Sequence, residues 1–527
     1  MKRIRRDTFN QAMGQLDPAL LDEHIRRREA LTASGTSRNL RPRAVRRVVL
    51  IAACAALFAA LLTVGVIAAR RAGDDRPGDG TTDGQTSGTA EPYSGVTELE
   101  TSDGRDIRKF SDLALPDSLA DCALAQVVLP VVPDMPAYNA SADEWKAYNV
   151  FQDEKRALFG SGANLTDFFT DISRVYLSGT AGGENRVLAP LNVYYALAML
   201  AETTAGDTQA EILKLLNADD VGTLRKRSAR LWLANFSDDG SVTHVTSSSL
   251  WLSRDYTYKK ETLEHLRDCY YASAYAGQMG SADYDSRIRD WVDYSTGGLL
   301  KDASGRITTN PNDVVRLYSA TYLHAGWDRL RPEKQTGVFR APDGDADCTM
   351  LYVHQFCGQV LQGTHFLAAE LPLAGGFTVS LVLPDEDVGI EELLSDRDDM
   401  RLALCGSKDP AIRPNVELHC TFPTFDIASG MDLVDGLKRL GVGKCFEGGD
   451  FSALTEDAGG IYVERVDHAA RLSVTEDGVT AGAMTQVSLT YEAEPMGVVH
   501  LTLDRPFLCV VRSEDSIPGF VGVVNHP

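Results

Sequence analysis

The chain predicts an α+β fold carried by residues 161–527. Amphipathic helical stretches come early, at LTDFFTDISRVYL (165–177) and LNVYYALAMLAETTAGDTQAEILKLLN (191–217). Strand-like stretches bounded by turns come later, at HVTSSSLWLS (244–253), AAELPLAGGFTVSLVLP (368–384) and VELHCTFPTFDI (416–427). No regular β-α-β alternation and no internal repeat appears, so helices and mostly antiparallel strands are expected to segregate within one large domain.

What precedes that domain differs in character. Residues 1–47 carry twelve Lys/Arg against five Asp/Glu, a local +7, so the rest of the chain carries −29 of a net −22. They form a basic segment. Between Arg46-Arg47 and Arg70-Arg71 lie twenty-two uncharged, mostly apolar residues, 48–69. About twenty suffice to cross a bilayer as a helix. This run has no polar face, unlike a long core helix. It predicts a transmembrane helix, with the Lys/Arg excess keeping the N-terminus cytoplasmic and placing the C-terminal mass outside the cell membrane. A cleaved signal peptide has a shorter apolar core and a briefer basic leader. Residues 70–95, rich in Gly, Asp, Thr and Pro, cannot bury enough surface to offset ordering and read as a flexible stalk. Residues 96–160 read as an extension that wraps onto the main domain.

Composition excludes several functions. An acidic body lacks the cationic footprint that nucleic acid requires. No G-x-S-x-G elbow, H-E-x-x-H, Walker loop or dinucleotide fingerprint occurs, and the ten histidines are dispersed. Beyond Cys54 there are eight cysteines, with neither C-x-x-C nor zinc-like spacing. Cys348 and Cys357 are close enough in sequence to pair, and scattered buried thiols are the equal alternative.

The stretch SVTEDGVTAGAMTQVSLTYEAEPMG (473–497) is ambiguous. From Val479 every second residue, through Ala481, Ala483, Thr485, Val487 and Leu489 to Tyr491, forms a more apolar set, as in a half-buried strand. Yet it opens at a turn-like Glu476-Asp477-Gly478 and ends in Glu-Ala-Glu-Pro, as an exposed loop would.

Several ordered motifs resolve the ambiguity. They are Asn185-Arg-Val-Leu-Ala-Pro-Leu-Asn192 with GDTQAEILKLL (206–216), Trp291-Val-Asp-Tyr-Ser-Thr-Gly-Gly298, and Leu317 through Trp327. Further along come Glu370-Leu-Pro, Ser380 through Pro384, Leu440-Gly-Val, Asp450-Phe-Ser, His468 and Asp504-Arg-Pro-Phe507. Each is weak alone. As an ordered set over about 164–527 they resemble the serpin family, and with the apolar run they are similar to bacterial membrane-anchored serpins. The resemblance implies a large, mostly antiparallel central sheet with helices, two smaller sheets and an exposed reactive loop. It implies a suicide inhibitor of serine proteases, with papain-like cysteine proteases as the other class. The target cleaves the loop and is held as an acyl-enzyme, and the hinge side of the loop then inserts into the main sheet. No cofactor or metal is implied, the catalytic residues belong to the target, and the chain is expected to be a monomer with the lipid bilayer as its other partner.

The resemblance also implies roles. Glu476, Gly478, Val479, Thr480, Ala481, Gly482, Ala483, Met484 and Thr485 form the loop hinge, with Val479 standing where inhibitors usually carry Thr or Ser. Ala189, Asn192 and Ser319 stand where the family's shutter beneath the sheet usually has Ser, Ser and Asn; His468 is kept and Trp327 lies at the sheet's breach. Counting forward from Gly478 puts the scissile bond at Glu492-Ala493, and counting back from Pro506 puts it at Pro495-Met496. Tyr491-Glu492 would suit a protease with a deep apolar pocket, while Glu494-Pro495 is disfavoured because proteases cleave poorly before Pro. The hinge half carries no charge, and a buried unpaired charge would cost several kcal/mol. A ladder along Val479–Leu489 could contribute on the order of ten kcal/mol before entropy is subtracted. Inhibition is therefore expected over the alternative, a non-inhibitory serpin-fold module for surface binding or adhesion.

Overall fold

A computed structural model describes residues 109–527 except 138, 180–182, 306, 407–411, 458 and 480–496. The basic segment, the apolar run 48–69 and the stalk lie outside the described residues, and no described helix is long and apolar enough to cross a membrane. In chain order, β1 (Ala123–Ala125) and α1 (Ala142–Arg156) precede α2 (Thr166–Leu177), β2 (Arg186–Leu188), α3 (Pro190–Thr203), α4 (Gly206–Leu215) and α5 (Val221–Asn235). Next come β3 (Ser237–Asp238), β4 (Val242–Ser253), α6 (Lys260–Cys269), β5 (Ala272–Gly277) and α7 (Ala282–Ser295). The strand-rich part holds β6 (Val315–Gly326), β7 (Glu333–Ala341), β8 (Gly344–Gln362), β9 (Phe366–Pro372) and β10 (Thr378–Pro384). After α8 (Ile390–Ser395) and α9 (Arg397–Cys405) follow β11 (Ile412–Pro423), β12 (Phe425–Asp432), α10 (Val434–Arg439) and β13 (Asp467–Thr475). The chain ends in β14 (Gly478–Val479), β15 (Val498–Thr502), β16 (Phe507–Arg512) and β17 (Pro518–Val524).

Two sheets result. One has eight strands in the order β1-β5-β4-β6-β14-β13-β12, with β3 beside β4. All its pairs are antiparallel except β4 with β5. The other has nine, in the order β15-β11-β8-β9-β10-β16-β17-β2, with β7 beside β8. The expected two smaller sheets are thus continuous. The nineteen-residue β8 joins them: β11 lies along one edge, while β7 and then β9 share the other.

Local chemistry explains two further departures. The helical stretch 191–217 breaks into α3 and α4, because Gly206 takes a left-handed φ of 56° and Ala205 N–H donates to Asp450 O rather than continuing the helix. The strand stretch 416–427 divides at Pro423-Thr424, and its halves enter different sheets. The helix α3 is buried on nearly every side, with Pro190 in its first turn where a missing N–H costs nothing. Between the sheets, Leu323, Ala325, Phe422, Ile427, Leu472 and Val479 belong to one apolar cluster.

Residues 109–160 pack in the same compact unit as the rest of the described chain. Phe110 and Leu119 are fully buried, β1 extends the eight-stranded sheet at β5, and α1 starts with a Ser141–Glu144 capping box. The Tyr148 hydroxyl donates to Asp239, and Arg156 pairs with Glu514. Leu119 packs with Trp251, Tyr275 and Ile288. No disulfide joins Cys348 to Cys357. Truncating Leu119→Ala should lower unfolding free energy by about 2–5 kcal/mol in urea titration, as deletion of a fully buried leucine does. A loss under about 0.5 kcal/mol would show that the extension contributes nothing to the core.

Candidate functional site at the head of the central sheet

The strand β14 enters between β6 and β13. Gly478 pairs with Gly326 and Thr475, and Val479 with Ala325 and Val474. Among the described residues, β6 and β13 are hydrogen-bonded into one sheet only through these two residues. Glycine is required at 478: its φ is 137°, and a Cβ there would lie 2.4 Å from Ala325 O and 2.7 Å from Gly326 Cα. Val479 is buried in the cluster between the sheets.

The tight turn before β14 is clamped. Trp327, just past β6, donates its backbone N–H to Asp477 O at 3.3 Å and its indole N–H to Thr475 O at 3.0 Å. Its ring packs edge-on against Phe422 with centroids 5.9 Å apart. Lys334 of β7 forms an ion pair with Glu476, and this contact holds the Glu476 carboxyl below its ordinary range.

Beneath the sheet, the start of α3 touches both sides of this opening. Ala189 N–H donates to His468 Nε2 of β13 at 3.1 Å, and Asn192 Oδ1 accepts from the Thr321 hydroxyl of β6. Thr321 in turn meets Thr246 of β4 at 3.1 Å. At the adjoining β2, Val187 N–H donates to Ser429 Oγ of β12 at 2.6 Å. Burial holds the His468 imidazole down to about 4. A neutral ring is what this contact needs, because a protonated Nε2 would set N–H against N–H.

Of the residues singled out from sequence, Glu476, Gly478, Val479 and Trp327 come together at the head of the opening, and Ala189, Asn192 and His468 beneath it. Ser319 does not join them; its hydroxyl meets Ser248 at 3.3 Å. Thr480, Ala481, Gly482, Ala483, Met484 and Thr485, and the bond candidates Tyr491, Glu492, Ala493, Pro495 and Met496, lie outside the described residues. Sequence reasoning missed Thr321, Ser429 and Lys334. Thr321 could have been found, since it lies two residues from Ser319 on the same strand face. Lys334 carries no local signal.

The protein-family model described as Serpin (serine protease inhibitor) matches residues 163–527. Serpin B11 of Mus musculus is 24% identical over 387 residues, covering 69% of this chain and 98% of its own length. The thermophilic serpin tengpin in its native state superposes with a TM-score of 0.62 at 20% identity, over 75% of this chain and 97% of its own. Tengpin in its latent state gives 0.56 at 20% identity, over 68% and 96%. The chain belongs to the serpin family.

Gly478→Ala should push β14 out from between its neighbours and cost about 1–3 kcal/mol, read as a lower urea midpoint. A neutral result would mean that β14 is not held as described. The buried His468 gives a second expectation. Between pH 6.5 and 4 the unfolded chain binds a proton that this ring refuses. Its contribution is therefore complete above pH 6.5, and about 3 kcal/mol of it is lost as pH falls to 4. His244, also buried and held at about 4, adds a loss of the same sign. In His468→Gln, unfolding free energy should fall less steeply over that window than in the parent; parallel profiles would remove His468 from the account.

Proposed function

We propose that this serpin is a suicide inhibitor of serine proteases that works by loop insertion and acts outside the cell membrane. The carrying observation is the placement of Gly478 and Val479 between β6 and β13. Continued in the same register, Val479 to Leu489 would run opposite Ala325 to Val315, so Leu489 would reach the first residue of β6. The uncharged, period-two stretch therefore has the length of the strand it would join. Ala483 would lie opposite Thr321 on one side and Ala470 on the other, where small residues let the strands close.

The chemistry is supplied by the target. Its serine Oγ attacks the carbonyl carbon of Glu492, the bond to the Ala493 nitrogen breaks, and an ester joins the two proteins. Insertion of the freed hinge arm then draws the enzyme along the sheet before water can attack the ester. Tethering to the membrane is supported by the uncharged run 48–69 between its arginine pairs.

Incubation with a panel of serine proteases should give a complex that survives denaturing electrophoresis, and N-terminal sequencing of the released peptide should begin at Ala493. Ala483→Arg should turn the inhibitor into a substrate, raising the number of molecules consumed per enzyme trapped at least tenfold, because a charge must otherwise be buried in the closing sheet. Trapping that is equally efficient in this variant refutes insertion. Cleavage without any complex across the panel would leave the non-inhibitory binding module.

A further inference from the structure

The histidines dispersed in the sequence are assembled by strand register elsewhere on the molecule. His419 of β11 lies directly opposite His354 of β8 on one side and His500 of β15 on the other. The three rings stack as one rung, with centroids 4.6 Å apart and planes within 13° and 16°. Glu417, two residues before His419 on the same face of β11, sets Oε1 at 3.2 Å from His354 Nε2 and 3.4 Å from His419 Nε2. The Leu418 and Cys420 side chains between and beyond them are buried, so the histidine-bearing face is the outer one.

We propose that His354, Glu417 and His419 form a binding site for a divalent transition-metal ion of the zinc class. Two ligand atoms about 2.0–2.1 Å from a tetrahedral ion lie about 3.3 Å apart, which is the spacing of the Glu417 oxygen from each imidazole. All three ligand atoms lie within 4.8 Å of one another. The Tyr352 hydroxyl meets His419 Nδ1 at 2.8 Å and leaves Nε2 facing the carboxylate. Such a partner on the second ring nitrogen is usual for a metal-bound imidazole. Two imidazoles and one carboxylate are the donors zinc takes, and hard cations such as Mg²⁺ and Ca²⁺ prefer all-oxygen sets. The three groups are partly exposed, so an ion can enter and keep solvent as its fourth ligand.

The other His–carboxylate cluster, His365 with Asp396 and Asp399, is already committed. Asp399 accepts from the Thr364 and His365 backbone N–H groups, and Asp396 caps α9. The proposed site also has a place in the molecule. Glu417 N–H donates to Gly497 O at 2.8 Å, and β15 then runs parallel to β11. An ion here would tie β8 to β11 beside the point where the chain returns to the sheet after residues 480–496. This inference does not depend on inhibition.

Titration calorimetry of the full chain with Zn²⁺ should show an equivalent that His354→Gln or His419→Gln removes. Glu417→Gln should weaken that equivalent at least tenfold, while His365→Gln should leave it unchanged. Mg²⁺ should neither bind nor compete. Zn²⁺ should raise the melting temperature of the parent and not that of His419→Gln, with both melting alike in the absence of metal. Identical Zn²⁺ isotherms for the parent and the two histidine variants would overturn the proposal, as would loss of the equivalent in His365→Gln.

Discussion

The structure depends on one constraint: among the described residues, the two central strands of the eight-stranded sheet, β6 and β13, are laddered together through two residues of a third strand. Among the described residues, the contacts between those strands are an Arg316–Asp467 ion pair at their foot and two groups nearer the head. Above, β14 bridges them, and the turn that precedes it is clamped by the two N–H groups of Trp327 and by Lys334 on Glu476. Below, the start of α3 reaches one strand through Asn192 and Thr321 and the other through Ala189 and His468. A sheet whose middle is joined so locally can be parted or filled there without disturbing its outer ladders, which are long: β4 meets β6 over eleven residue pairs and β12 meets β13 over eight.

The polar character of the lower contact matters for the same reason. Apolar packing alone would slide at little cost, whereas each hydrogen bond here has a direction and a buried partner that must be satisfied again after any movement. The family's usual hydroxyls are partly replaced. Where the resemblance anticipates hydroxyl side chains at 189 and 192, the backbone N–H of Ala189 and the amide of Asn192 make the contacts instead, and Thr321 supplies the hydroxyl from the sheet side. Hydrogen bonds thus link α3 to both strands without hydroxyl side chains at 189 and 192.

This pattern shows what could be read in the sequence and what could not. Gly478, Trp327 and His468 stand within motifs whose spacing survives along the chain, and the apolar alternation from Val479 requires only local reading. The break of the helical stretch at Gly206 was less legible, because a single glycine in a helical pattern is tolerated unless a partner such as Asp450 O takes the next N–H. The fusion of the smaller sheets through β8 was not legible, since pairing on both edges of a long strand is set by partners far away in sequence. The histidine rung is the extreme case. Its members are separated by 65 and 81 positions, and only the β8-β11-β15 register brings them onto one face.

On the proposed mechanism, the same register bears on when residues 480–496 could insert. Trp327, at the head of β6, packs on Phe422, five residues along β11 from Glu417, where the chain returns at Gly497. The return of the chain thus lies about 17 Å along β11 from the residue that touches the head of the opening. A strand inserted from Val479 to Leu489 would end about 34 Å away, at the foot of β6. The eight steps from Leu489 to Gly497 span at most about 29 Å when fully extended. On the proposed mechanism, full insertion would therefore pull this short connection along the sheet against the pairing of β15 with β11. Opening the five residue pairs of that parallel ladder, or a cut beyond Leu489 and before Gly497, would relieve that pull. The bond between Glu492 and Ala493 lies inside that interval. On the proposed mechanism, a cut there would free residues 479–489 from the strand that restrains them.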